Sequence, residues 1–175
     1  VRSEKKMQYD RTIENNLDFN LPRNVNINLE ILGGDIDLRD LQGESILNTL
    51  GGDVVITSFG GRIESKTSGG NMIVTETEGF IRIHSSGGNI SISDSQGQFN
   101  SSTEGGSIRF SDLNGSIDAQ TSGGSIELEH ITGDEISCRT SGGNIQAEFI
   151  SAKVTLKTSG GDINLNNIEG NIDLS

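Results

Sequence analysis

The sequence predicts an all-β, single-domain parallel β-solenoid (β-helix) with about 18 residues per coil, spanning residues 1–175. Three observations predict this fold. Glycine doublets recur every 18 residues with one exception, a second glycine follows all but one doublet at a constant offset, and aliphatic residues alternate with polar ones between the glycines. Such a repeat is typical of proteins in which each unit buries its apolar side chains only against its neighbours.

The glycine doublets define the length of one coil. The sequence numbers of successive doublets differ by 18, except for one difference of 19, and a second glycine lies at a fixed offset, as Gly43 does from Gly33. Ala152 replaces that second glycine once, and the extra residue is predicted at Asp134 or Glu135. Helices are excluded, because the two glycine positions leave no room for one and each interior glycine costs a helix about 1 kcal/mol. The doublets begin at Gly33, Gly51, Gly69, Gly87, Gly105, Gly123, Gly142 and Gly160.

The alternating segments predict two strands in each coil, one on either side of the second glycine. The first strand turns aliphatic side chains inward, as at Ile36 and Leu38. The second strand narrows to Ser or Thr beside the doublet, as at Thr67, and we expect these hydroxyls to form hydrogen bonds between coils or to corner carbonyls. One more apolar position lies between the strands, and Thr77 and Ser95 interrupt it. Equivalent positions should stack about 4.8 Å apart.

The two ends of the chain are less regular. Residues 1–32 are glycine-poor and are predicted to form a first coil or cap, with 24–32 in register with the next coil and 17–22 as a strand displaced by one residue. Residues 33–175 form the regular coils. Open solenoid ends present unpaired backbone groups, so end-to-end and side-by-side self-association are both open. Right-handed coils are predicted, because about 98% of parallel crossovers are right-handed, although left-handed β-helices of the same coil length exist.

Composition and charge narrow the range of partners. The net charge is −12 and the sequence pI is about 4.4, which argues against nucleic acid and anionic membranes as partners. No apolar run approaches the roughly 18 residues that a membrane span needs, so no membrane insertion by this chain is expected. The single Cys138 is predicted to be a small core residue, and one thiol does not make a zinc site.

Motifs that carry chemistry are weak in this chain. A strand follows each glycine doublet, whereas a phosphate-binding loop opens onto a helix. The residue after the doublet varies among Asp, Asn and Ser, which suits a corner that bonds local backbone better than a calcium site. We therefore predict no catalytic residue, no metal site and no cofactor. A polysaccharide lyase or hydrolase remains the alternative, because the outward acids Asp118, Glu127 and Glu129 could supply the paired carboxylates that glycoside hydrolysis needs.

One outward feature is less polar than the rest. Val55 and Ile73 fall at the same outward position of adjacent coils, with Thr57 and Thr75 beside them. These four residues are the predicted binding patch, which we call the apolar strip. Phe80 is also outward by parity, but it belongs to the other strand of its coil.

The aligned repeat resembles a known family. The segment LPRNVNINLEILGGDIDLRDLQGE (21–44) and the later units TSGGSIEL and TSGGNI are similar to bacterial adhesin-like β-strand-repeat proteins, the DUF4097 class. The resemblance covers about residues 17–175 and implies an exported or surface location, but it supplies no binding residues. Together with the residues, it leads us to expect a non-catalytic extracytoplasmic structural or binding module. Its partner would be a glycan, a cell-wall polymer or a surface protein.

Overall fold

A computed structural model describes residues 21–175 of the chain. Within that range every regular element is a β-strand, which confirms the predicted fold class. The predicted strand at 17–22 lies almost wholly outside the described residues. The strands are β1 (Ile27–Ile31), β2 (Ile36–Thr49), β3 (Val54–Thr67), β4 (Met72–Ser85), β5 (Ile90–Thr103), β6 (Ile108–Thr121), β7 (Ile126–Thr140), β8 (Ile145–Thr158), β9 (Ile163–Glu169) and β10 (Ile172–Leu174).

Neighbouring coils pair in parallel, and each residue lies opposite its equivalent in the next repeat. Ile36 lies opposite Val54, and Val54 lies opposite Met72. β1 continues the same register, with Ile27 opposite Ser45, as the spacing of residues 24–32 predicts. β9 and β10 both pair with β8, so the last coil is split into two shorter strands. Because the register shifts by one whole coil, equivalent residues stack on one another, and their buried side chains form one continuous core along the solenoid.

Each regular coil is one long bent strand rather than the predicted two. β2 to β6 and β8 contain 14 residues each and run through the position of the second glycine. That glycine takes a positive φ in β2 to β6, as in Gly97 at 137°. Three residues before this position a second bend is made by a non-glycine residue in the left-handed region, with φ between 51° and 56°. The short segment between the bends carries the apolar position that the sequence indicates. The left-handed residues are Asp40, Ser58, Glu76, Asp94, Asp112, His130, Phe149 and Asn167.

The extra residue forms a bulge in β7, which has 15 residues. Thr132 lies opposite Ser151 and Glu135 opposite Lys153, so two residues of β7 face one of β8. Gly133 keeps its place in the stack against the carbonyl of Gly115. The inserted residue is therefore Asp134, one of the two predicted positions.

A ladder of hydroxyls closes the corner beside each doublet. Thr67 Oγ1 donates a hydrogen bond to the Gly52 carbonyl of the preceding coil at 3.0 Å and accepts one from the Gly70 N–H at 3.2 Å. The prediction of bonds between coils is confirmed, and each hydroxyl satisfies two backbone groups at the corner. The same two bonds are made by Thr49, Ser85, Thr103, Thr121, Thr140 and Thr158.

The two glycines of a doublet have different roles. A Cβ on Gly70 would overlap the carbonyl oxygen of Gly52, whereas a Cβ on Gly69 would find its nearest neighbour, the Gly51 oxygen, at 3.9 Å. Neither Gly69 nor Gly70 has a φ in the left-handed region. Left-handed backbone angles are therefore not the reason for two glycines at this corner. Gly70, the second residue of the doublet, must be glycine because successive coils approach each other closely there.

The polar residue after each doublet bonds the next coil and not its own corner. The N–H of Asn71 donates to Asp53 Oδ1 at 2.7 Å, and that of Asp53 donates to Asp35 Oδ1 at 2.8 Å. Ser serves as well, because the N–H of Ser125 donates to Ser107 Oγ at 3.1 Å. The prediction that these side chains bond the backbone of their own corner is therefore wrong. The bond to the next coil requires only a short side chain with an acceptor oxygen. The ladder continues through Asn89, Asn144 and Asp162.

Polar side chains inside the coil are mostly paired. Thr77 and Ser95 replace the apolar residue of their rung, and both are buried. Thr77 Oγ1 donates to Ser95 Oγ at 2.9 Å, and Ser95 Oγ donates to the Ser93 carbonyl at 2.6 Å. Cys138 is fully buried, as predicted, and burial raises the pKa of its thiol. It belongs to the row of inward positions two residues before the corner hydroxyls, which we call the tapering rung and which includes Ser65, Ser101 and Ala119.

Candidate functional site

The structure brings the four residues of the apolar strip together. Val55 lies opposite Ile73, and Thr57 lies opposite Thr75 on the same outward face. Ile73 is 45% exposed and Val55 is half-buried. The strip is short, because Asp37 precedes Val55 in the same row and polar residues follow Ile73. Phe80 lies on the other side of its coil, as its parity predicts.

A shallow groove of about 420 Å³ crosses the second half of four coils. Register pairs run along it, with Phe80 opposite Gln98, Gln98 opposite Ser116, and Asn100 opposite Asp118. The groove exists because its middle coils carry short side chains while the flanking coils carry Phe and Arg. We call it the central groove, and it is lined by Phe80, Gln98, Phe99, Asn100, Ser116, Ile117, Asp118, Glu135, Ser137 and Arg139.

The Phe80 end of the central groove is held by arginines. The Arg62 guanidinium lies 4.4 Å from the centroid of the Phe80 ring, and that of Arg82 lies 5.4 Å from it. Both distances are in the cation–π range. Arg62 also pairs with Glu64, which fixes the guanidinium over the ring. Phe80 is half-buried and forms a positioned wall at this end.

The opposite end is formed by residues of β7 that follow the bulge, Glu135, Ser137 and Arg139. Arg139 Nη1 lies 3.6 Å from Asp118 Oδ1, which ties this end to the groove floor. Lys153 Nζ donates to Glu135 Oε1 at 2.9 Å across the bulge. Both ion pairs are about half exposed, so they orient side chains more than they stabilise the fold. The groove therefore ends in the coil that contains the inserted Asp134.

The acids that the sequence offers for catalysis are separated by the fold. Arg109 Nη1 lies 3.0 Å from Glu127, and its Nη2 lies 3.0 Å from Glu129. These two carboxylates share the face of the apolar strip and pair with one guanidinium. Asp118, the third candidate, lies in the central groove on the other half of the coil. The structure thus leaves Asp118 and Glu135 as the carboxylates of the groove.

A second concavity of about 610 Å³ follows the left-handed bends. Its rim is acidic, with Glu76, Asp94 and Asp112 among its lining residues. Beyond them the His130 ring stacks on Phe149, with centroids 5.0 Å apart and planes 15° apart. His130 occupies one of the left-handed bends. The other histidine, His84, lies on the central-groove side, where its Nδ1 is 2.9 Å from Ser102 Oγ.

Within residues 21–175, no three His, Cys, Asp or Glu side chains group closely enough to hold a metal ion. Nor does the described part of the chain include a helix long and apolar enough to span a membrane. Comparisons with family models, curated proteins and solved structures found no match to this chain. The function of the site is therefore inferred from the geometry and chemistry of its residues.

Sequence reasoning located Phe80 on the surface but missed the central groove. The groove depends on side-chain length compared between equivalent positions of successive coils, whereas alternation reports only inward or outward direction. The available signal was the run of mostly uncharged polar residues in the second halves of coils 87–104 and 105–122, between a coil that carries Phe80 and a coil that carries Arg139.

Proposed function

We propose that the protein is a non-catalytic, extracytoplasmic binding module that holds a glycan chain along the solenoid. The central groove is the observation that carries this proposal. An aromatic wall at Phe80 and a floor of amides and hydroxyls suit a sugar, whose C–H faces pack on aromatic rings while its hydroxyls bond polar groups. The groove runs across equivalent rungs about 4.8 Å apart, so it matches a repeating ligand better than a compact one.

The rigidity of the scaffold favours such binding. Each corner is closed by two hydroxyl bonds, as at Thr67, and by an inter-coil bond to the residue after the doublet, as at Asn71. The outward side chains are therefore held at fixed spacing before a ligand arrives. A preordered surface loses less conformational entropy on binding than a flexible one. The extracytoplasmic location is an expectation from the family resemblance.

A glycan array followed by affinity electrophoresis tests the proposal. We expect Phe80→Ala to weaken binding of any glycan retained by the parent chain. Phe149→Ala is the matched control, because it removes an exposed ring from another edge of the solenoid. Equal effects of the two substitutions would place the binding surface elsewhere. A full array with no retained glycan would overturn the proposal, and fractionation of the producing cells tests the location.

A polysaccharide-cleaving enzyme is the second candidate function. It is favoured by one observation, the presence of Asp118 and Glu135 in the groove beside Arg139. Reducing-end or unsaturated-product assays with each retained glycan separate the two functions. Turnover that Asp118→Asn abolishes while binding persists would establish the enzyme, and binding without turnover supports the module.

A further inference from the structure

The charge of the protein is unevenly distributed around the solenoid. The overall charge is −12, yet the outward half-coils around the central groove carry six basic and four acidic side chains. The rest of the described chain holds three basic residues and seventeen acidic ones. The half-coils are 62–66, 80–84, 98–102, 116–120, 134–139 and 153–157. Their basic residues are Arg62, Lys66, Arg82, Arg139, Lys153 and Lys157. We call this surface the cationic face.

Three of these cations lack a carboxylate partner. Lys66, Arg82 and Lys157 have no ion pair with any carboxylate in residues 21–175, while Arg62, Arg139 and Lys153 each have one. Lys157 lies opposite Arg139 on the neighbouring strand. Like charges directly opposite each other destabilise a sheet. An arrangement with this cost is explained when an anion from outside the chain lies between them.

Arg82 and Arg139 lie in coils on either side of a middle that carries one charged side chain, Asp118. Arg82 lies opposite Asn100, at the start of the floor, and Arg139 lies opposite Gln120, at its end. The row that leads to Arg139 is uncharged at Ser102 and Gln120, whereas the row of Arg82 continues through Asn100 to Asp118. Arg82 and Arg139 belong to coils three steps apart, which is about 14 Å along the axis. Positive ends and a hydrogen-bonding middle match a chain that carries acidic groups at intervals.

We propose that the ligand of the central groove is an anionic glycan, one that bears carboxylate or sulfate groups on its sugars. This inference rests on the proposed function and names its ligand class. The acidic groups lie at Arg82 and between Arg139 and Lys157, and the sugar rings lie over Gln98, Asn100 and Ser116. Asp118 lies 3.6 Å from Nη1 of Arg139 and is thereby paired, and its second carboxylate oxygen can accept a hydrogen bond from a sugar hydroxyl. The net charge of the whole chain is thus a poor guide to this face.

Titration calorimetry with the whole chain at low salt tests the inference. The probes are polygalacturonate for carboxylates, heparin for sulfates, dextran as a neutral glycan and double-stranded DNA as a non-glycan polyanion. We expect an acidic glycan to bind more tightly than dextran and DNA, and the binding to weaken as salt screens the exposed charges. The better of the two acidic probes identifies the anionic group.

A charge-matched pair of double variants locates the site. Arg82→Gln with Lys157→Gln should weaken acidic-glycan binding about tenfold, since two exposed ion pairs are lost. Arg39→Gln with Arg109→Gln changes the net charge equally on the other face and should change binding less than twofold. Equal weakening by both pairs would overturn the inference, as would DNA binding as tight as that of the acidic glycans.

The remaining outcomes separate this inference from the proposed function. If dextran binds as tightly as the acidic glycans and Phe80→Ala abolishes its binding, the glycan module stands and the anionic ligand is wrong. If neither acidic nor neutral glycans bind, both are wrong. Circular dichroism of each variant confirms that the fold is retained, which surface Gln substitutions should allow.

Discussion

The hydroxyl of Thr67 donates a hydrogen bond to the carbonyl oxygen of Gly52, one coil earlier, at 3.0 Å. This bond joins two coils at a corner where their backbones approach closely. It couples the two features that recur most regularly in the sequence, the glycine doublet and the hydroxyl residue before it. The corner is therefore a unit that depends on both residues.

The second doublet glycine should tolerate no side chain. We expect Gly70→Ala to lower the free energy of unfolding by about 3 kcal/mol or more, because the new Cβ overlaps the Gly52 carbonyl. Gly69→Ala, one residue earlier, should leave stability unchanged or raise it by at most about 1 kcal/mol. Urea unfolding followed by circular dichroism measures both. Equal losses would show that close packing of coils is not the reason for the doublet.

Removing the corner hydroxyl should be costly while its methyl group matters little. Thr67→Val leaves the Gly52 carbonyl and the Gly70 N–H without their partner, and we expect a loss of about 2–5 kcal/mol. Thr67→Ser keeps both bonds, as Ser85 does in the next coil, and should cost about 1 kcal/mol. Thermal unfolding of the two variants checks this, and a Val variant as stable as the Ser variant would contradict it.

Two buried serines of the tapering rung should respond in opposite ways to alanine. Ser65 Oγ donates to the Leu47 carbonyl at 3.2 Å, so Ser65→Ala should cost about 1 kcal/mol. Ser101 Oγ has no partner among the described residues, so Ser101→Ala should be neutral or stabilise by up to about 1 kcal/mol. The midpoint of thermal unfolding should differ by a few degrees between the variants, roughly 2–4 °C per kcal/mol for a chain of this size. A larger loss at Ser101 would show that its hydroxyl is satisfied.

The thiol of Cys138 should be unreactive in the folded protein. It is fully buried, and desolvation disfavours the thiolate that reacts with disulfide reagents. We expect less than about one-tenth of the chains to react with a thiol reagent at pH 8, and complete reaction in urea, because reaction requires opening of the coil. Rapid labelling of the native chain would contradict the buried position.

The apolar strip remains a predicted contact surface, and self-association is one contact that it could make. We expect Val55→Lys with Ile73→Lys to reduce any self-association that sedimentation detects, because apolar area is lost. The added positive charges would by themselves lower the repulsion between acidic chains. Ser91→Lys with Gln146→Lys adds the same charge in the same row without removing apolar residues. Unchanged association of the Val55 and Ile73 variant would remove the strip from consideration.

The repeat could be predicted because its signals are local and constant. Glycine spacing defines the register, and alternation gives the inward residues, including Cys138 and the Thr67 ladder. The left-handed bend was not predicted, because its residues range from Asp94 to Phe149 and share a backbone angle instead of a side-chain type. The sequence also did not predict that the Asp53 carboxylate accepts a hydrogen bond from the next coil. A hydrogen bond to the next coil and one within the same corner require the same residue types, so the sequence does not distinguish them.

The candidate site was less accessible from the sequence than the fold. The parity rule places Phe80 and Arg82 outward, but it does not indicate that Arg62 stacks on the ring or that Asn100 lines a groove. Those relations depend on side-chain length and direction across coils. Net charge was misleading for the same reason, because it averages over opposite faces of one rod.

The bulge at Asp134 makes one coil of this periodic solenoid different from the others. On a uniform ladder every position resembles its equivalent in the next coil, so a polymer could shift by one rung and find the same surface again. The inserted residue occurs in one coil of the described chain and interrupts that equivalence beside Arg139. A polymer that binds along the solenoid can therefore be held in a single register relative to the coils.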